Sequence, residues 1–166
     1  MADNDTPQTS DQQTSGENAE QQFAVQKIYT KDISFESPNA PGIFTEQLQP
    51  QINLELNSNG KRVAEEIYEV ILSLTVTVKH EEKTAYLIEV QQSGVFYIKG
   101  FNRDELGHML GSFCPEMLFP YAREVVSDIA TRGGFPQLLL APVNFEALYA
   151  KHLADQQQAD ADSASQ

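Results

Sequence analysis

Tyr68-Glu69-Val70-Ile71-Leu72-Ser73-Leu74-Thr75-Val76-Thr77-Val78-Lys79 is the stretch on which the fold turns. Tyr68, Val70, Leu72, Leu74, Val76 and Val78 alternate with Glu69, Ser73, Thr75, Thr77 and Lys79, a period of two that predicts a strand with one covered face and one wet face. Downstream, His80-Glu81-Glu82-Lys83 reads as a polar turn, and a further strand is expected from Thr84 to about Ile98. Upstream, Ile52, Leu54 and Leu56 alternate with Asn53, Glu55 and Asn57 in a strand expected to stop at Ser58-Asn59-Gly60. Farther back, Phe23, Val25, Tyr29, Ile33 and Phe35 recur at even spacing from 23 to 36 and predict a strand whose odd positions share one face. Two prolines and a glycine in 37–42 break regular pairing there. Short polar connections favour antiparallel pairing.

Beyond residue 100 the period changes. Leu106, Met109, Leu110 and Phe113 recur at helical spacing, with Asp104 and Glu105 suited to a helix N-terminus. A second helix follows from Pro115, with a kink expected at Pro120 and a stop at Gly133-Gly134. Phe145, Leu148, Tyr149, His152 and Leu153 form one face of a last helix, with Asn144 as its N-cap. Strands first and helices afterwards predict an α+β fold.

The chain has 166 residues and 40% hydrophobic content, enough for one domain with a real core. Residues 1–22 are polar and nearly free of large apolar side chains, and 154–166 have the same character; both are expected to be disordered tails flanking a domain over 23–153. The formal net charge of −13 disfavours nucleic acid and anionic lipid as partners. Eight acidic residues lie in the tails, which leaves 16 acidic against 11 basic residues, or −5, on the domain. Neither a membrane span nor an export signal is apparent, so a cytoplasmic protein is expected. Cys114 is the lone cysteine, which excludes an intramolecular disulfide.

Catalytic chemistry finds little support. His80, His108 and His152 have no ligand-spaced partners, so no metal and no cofactor is expected. Cys114 lacks a nucleophile's surroundings and reads as a buried, inert thiol. Glu65, Glu66 and Glu69 stand beside Lys61 and Arg62 and read as a solvated surface rather than as a hydrolase pair. Two features remain. Asp32 and Glu36 project from one strand face, and Glu89 could join them if the first and fourth strands share a sheet; alone, these carboxylates read as an ordinary wet face. An excess of apolar residues near loops, including Phe44, Phe96, Tyr97, Met117 and Phe119, suggests a subunit interface or an apolar groove.

Several stretches resemble the SecB protein-export chaperone family: Tyr29-Thr30-Lys31-Asp32-Ile33-Ser34-Phe35-Glu36, Pro38-Asn39-Ala40-Pro41, Glu89-Val90-Gln91-Gln92, Cys114-Pro115, Leu118-Phe119-Pro120-Tyr121-Ala122-Arg123-Glu124, Gly134-Phe135-Pro136-Gln137 and Ala141-Pro142-Val143-Asn144-Phe145. The likeness covers about residues 25–150. It implies a four-stranded antiparallel sheet with packed C-terminal helices, assembled as a homotetramer, a dimer of dimers. It also implies an ATP-independent holdase that is not an enzyme, keeps precursor proteins unfolded in the cytoplasm and delivers them to the SecA motor without inserting into the membrane.

By the same resemblance, Asp32, Glu36 and Glu89 match the surface that contacts SecA, and Leu87, Ile88, Val90 and Gln92 match a strand segment tied to subunit assembly. The helix from Pro115 to Gly133 is expected between dimers. Phe44, Phe96, Tyr97, Met117 and Phe119 are assigned by position to the client groove, since Met and aromatics repack against many sequences. The chain departs from many relatives at Leu48, where they carry tryptophan, and Ile88 replaces a small thiol seen in some. The alternative is a chaperone of this fold dedicated to a single partner, such as an antitoxin.

Overall fold

The computed structural model describes residues 20–164. Strands β1 (Gln22–Glu36), β2 (Pro50–Ala64), β3 (Ile67–His80) and β4 (Lys83–Lys99) precede helices α1 (Arg103–His108), α2 (Cys114–Arg132) and α3 (Phe145–Ala164). The strands form one sheet in the order β1-β4-β3-β2, every pair antiparallel. Two tight hairpins join β2 to β3 and β3 to β4, with Glu66 and Glu81 in the left-handed region at φ 57° and 52°. Residues 37–49 then have to carry the chain from β1 at one edge to β2 at the other. The expected α+β architecture, a four-stranded antiparallel sheet with C-terminal helices, is the one observed.

Helices cover one face of the sheet. Val70, Leu72, Leu74, Val76 and Val78 of β3, with Ile88, Val90 and Phe96 of β4, bury against Cys114, Leu118, Ala122, Val126 and Ala130 of α2. The strongest strand signal in the sequence therefore becomes the centre of the core, and burial of each such side chain contributes roughly 1.5–3 kcal/mol.

Four departures from the sequence reading have physical causes. β1 carries irregularities between Val25 and Lys27 and between Thr30 and Asp32. Each inserts one residue and reverses the phase of the strand, so Tyr29 lies opposite Ser93 on the open face instead of sharing the core side with Phe35. β2 does not stop at Gly60 but pairs through to Ala64. Gly60 lets Leu110 approach, since a Cβ there would lie 3.1 Å from that side chain. The two expected helices at 103–132 are one helical run joined by a π turn, Met109–Phe113. The widened turn immediately precedes Pro115, which has no N–H to donate and whose ring crowds the preceding turn.

The last departure is at the C-terminus. Asn144 caps α3 as expected, its Oδ1 accepting from Ala147 N–H at 2.9 Å. The helix then continues to Ala164, where disorder from 154 was expected. Alanine and glutamine propagate a helix already nucleated by a capped, packed first turn, even though residues 154–161 stay exposed. Of the N-terminal tail, residues 1–19 lie outside the described residues.

Candidate functional site

The open face of the sheet brings the three predicted carboxylates together. In the β1–β4 register Asp32 pairs with Gln91, Ser34 with Glu89 and Glu36 with Leu87. All three carboxylates share the face away from the helices and are exposed. Ser34 Oγ donates to Glu89 Oε2 at 3.2 Å. Glu89 is thus diagonal to both Asp32 and Glu36, about 7–8 Å from each on sheet geometry. The register continues through Thr75 to Glu55 on β2, so a row of polar and acidic groups crosses the sheet. None of the cross-strand neighbours Gln91, Leu87, Ser34 and Thr75 is basic, so this end of the face presents uncompensated negative charge.

The other end of that face is neutralised. Glu69, expected to be solvated, is only 5% exposed. Its Oε1 accepts from Tyr29 Oη at 2.5 Å, Lys31 Nζ at 2.7 Å and Ser93 Oγ at 3.0 Å, and its Oε2 faces Lys61 Nζ at 2.9 Å. Lys31, then Tyr29 and Lys61, hold this carboxyl well below the usual carboxylate range. Side chains from all four strands meet here, two of them from β1, so the buried carboxylate reads as a clamp across the sheet. The phase reversals in β1 place Tyr29 and Lys31 at this point, which is why simple alternation missed the cluster.

A cleft of about 230 Å³ opens at the far end of the core, lined chiefly by Leu48, Ile52, Val78, Tyr86, Phe135 and Leu138. Its walls are mostly apolar, and Ile52 is 51% exposed at its edge. Phe135 is the hub: its ring centroid lies 4.5 Å from that of Tyr86 and 5.0 Å from that of Phe44. Gly134, at φ 87°, ends the turn after α2 and lets the Phe44 ring approach. A second opening of about 350 Å³ lies between β2 and α3, with Leu56, Leu72, Leu110, Phe145, Leu148 and Tyr149 among its walls.

The five residues assigned to a groove are not brought together within the chain. Phe44 is 48% exposed beside the first cleft. Phe96 is fully buried beneath α2 with Phe23 stacked on it, and Phe119 is buried against Phe145. Tyr97 lies on the opposite face of the sheet, donating to Glu66 at 3.0 Å, and Met117 is half-buried on α2. Apolar character in sequence does not distinguish a core residue from a groove wall. Phe135 stands in one of the motifs quoted for the resemblance, and Leu48 was singled out; Tyr86 carried no signal beyond its place in a strand.

Of the assembly segment, Ile88, Val90 and Gln92 are buried under the helix layer, while Leu87 is half-buried on the open face. Cys114 is buried, and loss of solvation pushes its thiol up to about 12, as fits an inert residue. Among the described residues no group of three or more His, Cys, Asp or Glu is placed to hold a metal, and no helix is long and apolar enough to cross a membrane.

Comparison with known proteins fits this geometry. A family model described as Preprotein translocase subunit SecB matches residues 16–156. Protein-export protein SecB of Nitrosococcus oceani is 53% identical over 155 residues, covering 92% of this chain and 94% of the relative. Its counterpart in Marinobacter nauticus is 54% identical over 157 residues, covering 93% and 95%. Among solved structures, a Mycobacterium tuberculosis SecB-like chaperone, Rv1957, in complex with a ChAD peptide from the HigA1 antitoxin, superposes with a TM-score of 0.63 at 16% identity, covering 73% of this chain and 90% of that one. At that identity the likeness is one of fold.

Proposed function

The chain belongs to the SecB family of protein-export chaperones, and from that premise we propose that its apolar cleft holds extended segments of unfolded precursors while the acidic face of its sheet receives SecA. The observation that carries the first half is the cleft around Phe135, a mostly apolar trough open to solvent at one end of the core. A precursor segment laid in it removes apolar surface from water at about 25 cal/mol per Å² and needs no particular sequence to do so. Aromatic walls and backbone flanking them suit a promiscuous site.

Affinity for whole precursors then comes from several copies of this cleft acting through effective concentration, in a tetramer built as a dimer of dimers. α2 lies between the dimers, with Tyr121 exposed on its outer side. Ile88, Val90 and Gln92 act on assembly by seating α2, because their own side chains are buried within one chain. Holding requires no nucleotide and no catalytic group, and the work is done in the cytoplasm.

SecA is bound at Asp32, Glu36 and Glu89, whose shared face is acidic and uncompensated. Such a surface attracts a basic segment over a screening length of about 10 Å at 0.1 M salt, so this contact weakens as salt rises while precursor holding does not.

The test is a double variant, Asp32→Asn with Glu89→Lys. It is expected to keep the mass of four chains in light scattering and to keep a chemically unfolded precursor in solution without ATP, yet to lose SecA binding. Normal SecA binding by this variant refutes the assignment of the face. A wild-type protein that holds one antitoxin but leaves several unfolded precursors to aggregate would establish the single-partner reading instead.

A further inference from the structure

His80 is buried at the end of β3, on the floor of the apolar cleft. Its two ring nitrogens face two different points of the 37–49 crossover. Nδ1 accepts from the backbone N–H of Gln49 at 3.0 Å, and Nε2 lies 3.4 Å from Glu46 Oε2. The other oxygen of Glu46 takes Lys83 Nζ from the start of β4, so the contact is braced from the neighbouring strand. Leu48, a wall of the cleft, sits between these two anchor points.

A backbone N–H has only a proton to offer, so Nδ1 carries a lone pair in this contact, and Nε2 is the nitrogen left to hold the ring proton, at ion-pair distance from Glu46. An imidazole so arranged accepts from the Gln49 N–H on one side and sets a polar nitrogen beside the Glu46 carboxylate on the other, which an apolar side chain of similar size cannot.

We propose that His80 is the positioning residue of the client cleft: by accepting from the Gln49 N–H, with Nε2 set beside Glu46, it holds Leu48 in place as one wall. The crossover is also anchored by Ser37 and Asn39 on carbonyls of β4, by buried Ile43, by Phe44 on Phe135 and by Lys83 on Glu46. Between Glu46 and β2, the backbone of Gln49 is held by the imidazole. Without it the wall is free to move, and each client segment has to order it on binding. The inference rests on the reading of the cleft as the client site.

The experiment uses the full-length protein and, as probe, a fluorescein-labelled, reduced and carboxymethylated α-lactalbumin, which stays unfolded. His80→Leu is expected to weaken binding by about three- to tenfold, the range of one net hydrogen bond, with the assembly mass unchanged. His80→Gln, whose amide oxygen accepts from Gln49 and whose NH₂ donates to Glu46, is expected to restore most of it. In wild type the Gln49 amide exchanges slowly and the imidazole nitrogens show the Nε2–H tautomer. Wild-type affinity in His80→Leu overturns the proposal, as does a His80→Gln variant no better than the leucine one. If His80→Leu fails to assemble, the tautomer decides: an Nδ1–H imidazole or an unprotected Gln49 amide in wild type overturns it. Phe135→Ala separates the underlying reading, because unchanged probe binding there removes the cleft as client site while leaving the Gln49 anchor intact.

Discussion

Replacing Glu69 with glutamine tests whether the buried carboxylate is the clamp its surroundings describe. The glutamine oxygen can still accept from Tyr29 and Ser93, which sit 2.5 and 3.0 Å from Oε1. What is lost is the charge facing two lysines, at 2.7 and 2.9 Å, and the new NH₂ points a donor at one of them. Lys31 and Lys61 are 36% and 56% exposed, so water screens both pairs and each contributes up to about 1 kcal/mol. The expected loss at pH 7 is therefore about 1–2 kcal/mol, well short of the 3–5 kcal/mol typical of a charge stranded in a sealed interior.

The pH dependence carries its own sign. The folded-state pKa of Glu69 is lowered, by Lys31 first, so its contribution is fully present above the ordinary carboxylate value of about 4.3 and is lost progressively as pH falls below it. Urea unfolding of wild type and Glu69→Gln at one fixed protomer concentration, at pH 7 and pH 3, reads both effects. The gap between them should narrow at pH 3. A difference under about 0.5 kcal/mol at pH 7, or one that does not shrink in acid, refutes the clamp.

Two further outcomes follow from contacts in the helix layer. In Gly111→Ala the added Cβ would lie 2.5 Å from the Tyr149 ring, so the docking of α3 on the preceding helical run should loosen, at a cost of about 1–3 kcal/mol in the same unfolding assay; hydrogen exchange of α3 amides should rise before that of the sheet. Cys114, with its thiol pushed up to about 12 by burial, should resist a thiol reagent at pH 8 in the folded protein and react fully in urea.

Much of the architecture was legible in the chain because a strand's alternation is local. The run from Tyr68 to Lys79 announces a half-covered strand without reference to anything else, and Val70 to Val78 are indeed the centre of the core. The cap at Asn144 and the stop at Gly133-Gly134 are equally local, each following from what a helix end leaves unbonded. The resemblance motifs added the family and the expectation that Asp32, Glu36 and Glu89 share a surface, but not the register that sets them side by side.

That proximity is a matter of sheet order. The turn at 80–83 announces the β3–β4 hairpin, but nothing between residues 36 and 83 states that β4 pairs with β1 on its other side; that order follows from which arrangement buries most apolar surface, a sum over the whole chain. The same sum decides Glu69, which looks like surface beside Glu65 and Glu66 but is closed over once irregularities in β1 bring Tyr29 and Lys31 above it. It decides the cleft too, whose walls come from residues 48, 52, 78, 86, 135 and 138. Side chains that far apart in sequence share a surface only through the packed fold, so the chain on its own determined the elements and the family, and tertiary structure determined which residues meet.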